Sequence, residues 1–329
     1  MTSEQLPSDL AQYFAQHVCY FNGRWVERPD LRLSVDDIGF RQGVTAVERL
    51  RTYDGKLFAA DDHLKRWVQT TASLKIDGLP CSSKLAEWLG ELIERNRALL
   101  DQATDVGVTI FATPGEVGGN GPTIAMHLNP LDHDRNQRRR QGGQPLVTSA
   151  IESPSNACWP RTAKVRSRIH YYLADREARR HSSDALGVLS DHDGSVTETS
   201  IANLAVVRSG AVTSPLAEQV LSGITQSHCQ ALAVSMGIAW TQERISKQDL
   251  LSADEVLLMG TDTGVWFANE IDGVPIDGVP IGADASTGTV TSVATKAAVG
   301  GGKVEGSHAG PVCRRLQSAF AKLVCSTQN

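Results

Sequence analysis

Residues 163–180 read AKVRSRIHYYLADREARR, one lysine and five arginines among apolar residues at helical spacing. The spacing predicts a helix through this stretch. Lys164 is then one of two things. It is a charge on the solvated face of a basic helix, its stem lying along apolar surface, or it is a single amine kept for chemistry. The fold assignment turns on that choice, and the rest of the chain is needed to make it.

With 329 residues the chain is long enough for two modest domains, each with its own core. A hydrophobic content of 41% and a charged content of 21% suit a soluble globular protein. The net charge of −5 argues against a nucleic-acid partner, the arginine-rich stretch included. Six cysteines, Cys19, Cys81, Cys158, Cys229, Cys313 and Cys325, have no CxxC spacing. That argues against a zinc site and, at this length, against a disulfide framework. Free thiols in a reducing compartment are expected. The first residues, MTSEQLPSDL, lack the basic-then-apolar order of a secretion signal, and no apolar run reaches membrane-spanning length. The expectation is a cytoplasmic protein with no membrane partner.

The chain separates into two parts. In the first, Val18–Val26 (VCYFNGRWV) reads as a hairpin turning at Asn22-Gly23, and VERLRTYDGKLF as a second turning at Asp54-Gly55. Asp61 is expected to cap a helix, DDHLKRWVQTTASLKI, with Leu64, Trp67, Val68, Thr71 and Leu74 on one face. Another helix is expected over 83–100, then two strands, VGVTIFAT and PTIAMHL. Residues 129–143, NPLDHDRNQRRRQGG, are polar and read as a linker, with the triple arginine in a solvated loop. The second part carries turns at Asp193-Gly194 and Ser209-Gly210. A helix from about Thr225 to Gly237 follows, then a buried strand, turn and strand in ADEVLLMGTDTGVWFANEIDG. The tandem IDGVPIDGVPIG reads as a two-copy slip in a hairpin, residues 282–310 as a flexible insertion, and GPVCRRLQSAFAKLV as a closing amphipathic helix.

Motif searches remove several chemistries. HExxH, a Walker loop and a serine-hydrolase elbow are missing. The nine histidines are dispersed, so no metal is expected. GEVGGNG has the wrong glycine spacing for a dinucleotide fingerprint. Four features remain, each with an ordinary explanation beside a chemical one. Lys164 is a surface lysine or a desolvated, nucleophilic amine. Glu198, in VTETSIAN, is an exposed hairpin residue or a carboxylate holding a heteroaromatic N–H. In SGITQ, Gly223, Ile224 and Thr225 form a plain helix start or an anion site built from free amides and the helix dipole. In GTDT, Gly260, Thr261, Asp262 and Thr263 form a plain turn or a second set of phosphate contacts. Arg66, in DDHLKRW, adds a fork for phosphate. A ligand that uses all of these has an aldehyde for the lysine, a pyridine nitrogen and a phosphate, which describes pyridoxal 5′-phosphate.

The order of these residues resembles the fold-type IV enzymes that use this cofactor: branched-chain and D-amino-acid aminotransferases and aminodeoxychorismate lyase. The resemblance runs from about Asp37 to the final helix. DIGFRQGVTAVERLRTYDGKLFAADDHLKRW is similar to the family's opening stretch and ends in the arginine that holds the cofactor phosphate, here Arg66. AKVRS followed by LADREA matches the segment of the cofactor-bearing lysine, with Lys164 thirteen residues before Glu177. GSVTETSIANLAVV matches the strand of the pyridine-nitrogen carboxylate, Glu198. LSGITQ and MGTDTG match the two phosphate-binding turns. The resemblance implies an α+β fold in two parts. These are a small α/β N-terminal domain with its linker (1–142) and a larger cofactor-binding domain with a barrel-like core (143–329). It also implies a homodimer.

The chain departs from the family on the substrate side. Gln42, Val44, Thr45 and Val47 stand in the opening motif where other residue types are common, Ser167 where Asn is common, and Gly264 where Glu is common. The loop TPGEVGGNG lacks the Arg and His with which D-amino-acid aminotransferases hold the substrate carboxylate. Arg41, Arg166 and Arg168 are surface charges or substitutes for that role. The leading expectation is an aminotransferase acting on an amino acid and a 2-oxo acid. A lyase releasing pyruvate and a non-catalytic binding protein on the same fold stand as alternatives.

Overall fold

The computed structural model describes residues 14–119, 121–276 and 309–326. The end of the tandem IDGVPIDGVPIG and nearly all of the Gly-rich insertion lie outside the described residues.

The first hairpin pairs β1 (Val18–Phe21) with β2 (Arg24–Glu27). Asn22 and Gly23 both take positive φ (45° and 85°), as a tight two-residue turn requires. A single turn, α1 (Ile38–Arg41), is capped by Asp37. β3 (Ala46–Tyr53) and β4 (Lys56–Leu57) form the second hairpin, at Asp54-Gly55. α2 (Ala60–Ser73) begins one residue before the expected cap. Ala59, left-handed at φ 50°, holds the cap position, and Asp61 and Asp62 sit in the first turn, where they meet the positive end of the helix dipole. Leu64, Trp67 and Thr71 are buried, but Val68 is 46% exposed. The helix turns His63, Arg66 and Thr70 inward, and that rotates its buried face away from Val68.

The helix expected over 83–100 is two, α3 (Ser82–Arg95) and α4 (Arg97–Ala103), broken at Asn96. The buried Asn96 side chain donates to the carbonyls of Val18 (2.9 Å) and Leu92 (2.8 Å) and accepts the Val18 amide (2.8 Å). It thus ties the helix end to β1. β5 (Gly107–Thr113) and β6 (Thr123–Asn129) complete a six-stranded antiparallel sheet in the order β2-β1-β6-β5-β3-β4. Leu64, Trp67, Leu85, Leu89 and Leu92 from α2 and α3 pack on Leu50, Val108, Ile110 and Met126 of that sheet.

Residues 133–142 are helical, against the linker reading: α5 (His133–Gly142) is capped by Asp132 and stopped by Gly143 at φ 80°. No apolar stripe marks it, because polar contacts dock it. Asn136 bonds the Thr263 hydroxyl and the Asp262 carbonyl, Arg139 bonds Gln144, and Arg140 bonds the Thr263 carbonyl.

The rest of the chain is β7 (Gln144–Glu152), α6 (Ile169–Ala178), β8 (Leu186–Ser190), β9 (Val196–Thr199), β10 (Asn203–Arg208), β11 (Ala211–Ser214), α7 (Ile224–Ser235), β12 (Trp240–Gln242), α8 (Lys247–Leu251), β13 (Glu255–Gly260), β14 (Gly264–Ile271), β15 (Val274–Pro275) and α9 (Pro311–Ser326). The helix expected from 163 starts only at Ile169, so Lys164 precedes it. Strands β10, β13, β14, β7, β8 and β9 pair in that order, and β9 pairs back to β10, closing a six-stranded barrel. Alternate residues divide between two cores. Leu204, Val206, Val256, Leu258, Trp266 and Ala268 fill the interior, whereas Ala205, Val207, Leu257, Met259, Val265 and Phe267 point outward under α7 and α9. That is why these strands read as unbroken apolar runs. No described helix is long and apolar enough to cross a membrane.

Asn96→Ala leaves both Val18 backbone groups without their partner, at a cost of about 2–4 kcal/mol. The urea midpoint should fall accordingly; an unchanged midpoint would remove Asn96 as the tie between α3 and β1.

Candidate active site

Lys164 lies in extended chain laced onto the N-terminal sheet. Its carbonyl accepts the Val47 amide (2.9 Å), its amide donates to Thr70 Oγ1 (3.1 Å), and the Arg166 amide reaches the Thr45 carbonyl (3.0 Å). Val165 bridges to Ala46 at the start of β3. The backbone is therefore fixed on one sheet while the side chain enters a cavity walled by the other. Burial pushes the amine down to about 7, with the Arg66 charge adding to that and Glu48 opposing it. Near neutral pH a large fraction of Lys164 is thus the free, nucleophilic amine.

Glu198 sits on β9 at the closure of the barrel, opposite Asn203. Its Oε1 accepts the Tyr171 hydroxyl at 2.6 Å, its Oε2 accepts Asn203 Nδ2 at 2.9 Å, and the Leu221 amide reaches both oxygens at 3.3 Å. Burial raises the carboxyl above its ordinary value and the hydrogen bonds from Tyr171 and Leu221 pull it back. The same burial, with the Glu198 charge, holds Tyr171 protonated as a donor.

Arg66, Gly223, Ile224, Thr225, Gly260 and Thr261 line the same cavity as Lys164 and Glu198. Arg66 is gripped by Glu48, through Nε to Oε2 (3.0 Å) and Nη2 to Oε1 (2.5 Å), and its Nη1 donates to the Ser222 carbonyl (2.8 Å). His63 Nδ1 lies 2.9 Å from Glu48 Oε1, and burial lowers its basicity. Gly223, at the cap position of α7, has no side chain to bond the first amides, which leaves those of Ile224 and Thr225 facing outward. A Cβ at Gly223 would lie 1.9 Å from Asn203 Oδ1, and one at Gly260 2.5 Å from the Ile201 carbonyl. Only glycine allows these two turns to pack so closely on residues 201–203. Asp262 is not part of this arrangement. Its carboxylate is held outside by Arg49 in a two-bond fork (2.9 Å and 2.9 Å) and does not line the cavity.

The residues fit the expected group. A free amine, a buried carboxylate with two donors behind it, and an anion cup of one guanidinium and a helix start share one cavity. In its wall Ser200 Oγ is buried without a hydrogen-bond partner among the described residues. Sequence reasoning missed Glu48, Tyr171 and Asn203. Asn203 was readable five residues after Glu198, across a tight strand connection. Glu48 and Tyr171 carried no local signal. Of the three arginines considered for a substrate carboxylate, Arg168 alone lines the cavity, its guanidinium 4.4 Å from the Tyr171 ring centroid. Arg41 pairs with Asp36 on the surface.

A family-wide sequence profile described as amino-transferase class IV matches residues 45–271. The D-alanine aminotransferase of Bacillus licheniformis is 26% identical over 264 residues, 78% of this chain and 89% of that protein. The branched-chain-amino-acid aminotransferase-like protein 1 of Arabidopsis thaliana is 26% identical over 309 residues, 89% of this chain and 48% of that one. Among solved structures, the Escherichia coli branched-chain amino acid aminotransferase superposes with a TM-score of 0.79 at 21% identity, covering 94% of this chain and 95% of that one.

In ligand-free protein carrying 13C-methyl labels on its lysines, the Lys164 signal should titrate at about 7, while surface lysines titrate near ~10.4. A Lys164 midpoint among the surface lysines would contradict the buried amine.

Proposed function

This chain belongs to the class IV aminotransferase family, and from that premise we propose how its residues divide the transfer of an amino group between an amino acid and a 2-oxo acid. The enzyme is a pyridoxal 5′-phosphate-dependent aminotransferase. The observation that carries the residue assignments is the meeting of Lys164, Glu198 and the anion cup in one cavity. When bound, the cofactor supplies an electrophilic carbon for amines and a ring that accepts electrons.

Lys164 is the residue that anchors the cofactor and then moves the substrate's α-proton through Nζ. Its lowered basicity suits both tasks near neutral pH. Glu198 holds a proton at the ring nitrogen. Tyr171 and Asn203 fix its two oxygens, so the carboxylate needs no rearrangement as charge develops. Arg66 and the amides of Ile224 and Thr225 bind the phosphate, with Gly223 and Gly260 giving the backbone room and Thr261 contributing from the second turn. Glu48 orients Arg66 from behind. Arg168 is the proposed partner of the substrate carboxylate, beside Lys164. Asp262 braces the second turn through Arg49 and Arg51 without facing the ligand.

We also propose that the enzyme works as a homodimer. Val35, Phe40 and Val117 are all more than half exposed. They are brought close by the Asp37–Glu116 bridge and the hydrogen bond from the Val117 amide to the Asp36 carbonyl. Large apolar side chains gathered on one exposed edge support a partner surface there. Sedimentation of the wild type at micromolar concentration should give a mass of two chains; a single-chain mass would end the proposal.

Lys164→Ala should lose turnover entirely. Glu198→Gln should still bind the cofactor but slow amination of it by an amino donor, on the order of a hundredfold or more. Both are read by following the bound cofactor's spectrum during a half-reaction. Wild-type turnover by Lys164→Ala would overturn the assignment.

A further inference from the structure

A second cavity, of about 300 Å³, opens between β3, α5, the turn from β13 to β14, and α9. It shares no lining residue with the Lys164 cavity. Its size is at the lower end of small-molecule sites. Val265, Phe320 and Val324 make an apolar wall, and Arg51, Arg140 and Tyr53 supply polar groups.

The charges in this second cavity do not balance. Arg51 is buried, lies 4.0 Å from the Tyr53 ring centroid, and meets Asp105 only at 3.5 Å. That carboxylate already accepts the Thr52 hydroxyl (2.9 Å) and the Gly55 amide (3.3 Å). Arg140 donates to the Thr263 carbonyl (3.2 Å) and meets no carboxylate among the described residues. Asp262, the other acid nearby, is engaged by Arg49. Among the described residues, two guanidiniums against one carboxylate leave one positive charge in excess. Tyr53 Oη has no hydrogen-bond partner among the described residues.

We propose that this cavity binds a small organic carboxylate with a short apolar chain, its carboxylate between Arg51, Arg140 and the Tyr53 hydroxyl, its chain against Phe320 and Val324. The single excess charge favours a monoanion over phosphate, and the apolar wall favours a hydrocarbon tail. Occupancy reaches the active site through the turn it borders. Arg51 donates to the Asp262 carbonyl (2.6 Å), Asn136 donates to the same oxygen (3.0 Å), and Arg140 holds the next carbonyl. Thr261, one residue earlier, lines the Lys164 cavity. A carboxylate that draws either guanidinium competes with those bonds and loosens the turn; this coupling rests on the reading of Thr261 as part of the phosphate cup.

Calorimetric titration of the cofactor-loaded enzyme with hexanoate, and with its neutral isostere hexanamide, tests the site. Hexanoate should occupy a class of sites that Arg140→Gln weakens at least tenfold and Val324→Trp, which fills the cavity, removes; hexanamide should leave that class empty. Retention of all hexanoate binding by Arg140→Gln, or equal binding of hexanamide, overturns the proposal. Arg140 is exposed, so its variant decides the matter even if Val324→Trp does not fold. Hexanoate should also raise the cofactor concentration that half-loads the wild type, but not that for Arg140→Gln. A protein that never loads cofactor would refute the cup reading alone, because titration of the unloaded chain still tests the second cavity.

Discussion

Glu48 has no exposure to water, and its carboxylate stays charged only because Arg66 and His63 meet it. Removing such a charge from water costs several kcal/mol unless its partners are well placed, so the pair sets a strict geometric condition. β3 must pack on α2 in the register that brings Arg66 to both oxygens. The Glu48 carboxyl lies well below the ordinary glutamate range for this reason, held there by Arg66 and His63 against the opposing effect of burial. The third arm of Arg66 then reaches the Ser222 carbonyl, which leads directly into α7. One ion pair therefore fixes a strand, a helix and the loop that presents free amides, and it aims a guanidinium into the cup they form.

A similar division governs the reactive amine. The backbone of residues 164–166 belongs to the N-terminal sheet by its hydrogen bonds, while Glu198, Tyr171 and the two glycine turns belong to the barrel and the chain around it. Neither half holds a complete site. Residues far apart in sequence converge because each sheet supplies one wall. The low polarity of the resulting junction lowers the amine's basicity while raising the phenol's and the carboxyl's values.

Much of this was legible in the residues. Asn22-Gly23 and Asp54-Gly55 announce their hairpins through backbone conformations few other residues accept. The strand, turn and strand around Gly260 follow from unbroken apolar runs. Lys164, Glu198, Arg66 and the SGITQ turn, singled out because their order resembles a family's, meet in one cavity. The failures have a common physical origin in long-range polar contacts. α5 has no apolar stripe and is docked by Asn136 and two arginines, so its residues resemble a loop. The break at Asn96 depends on a strand 78 positions away. Asp262 resembled a ligand contact until Arg49, 213 positions earlier, was placed beside it. Val68 matched the apolar period, but the inward-facing His63, Arg66 and Thr70 decided which side of α2 is buried.

The barrel closes between β9 and β10 through a single register pair, Glu198 with Asn203. The same two side chains hold the atom that would meet the ligand's ring. Seam and binding determinant are therefore one object. On the assignment proposed above, a bound cofactor would rest on this seam as well as react beside it. The chain itself keeps that line shut, because the Thr199 amide (3.0 Å) and hydroxyl (3.1 Å) both donate to the Ala202 carbonyl across the connection.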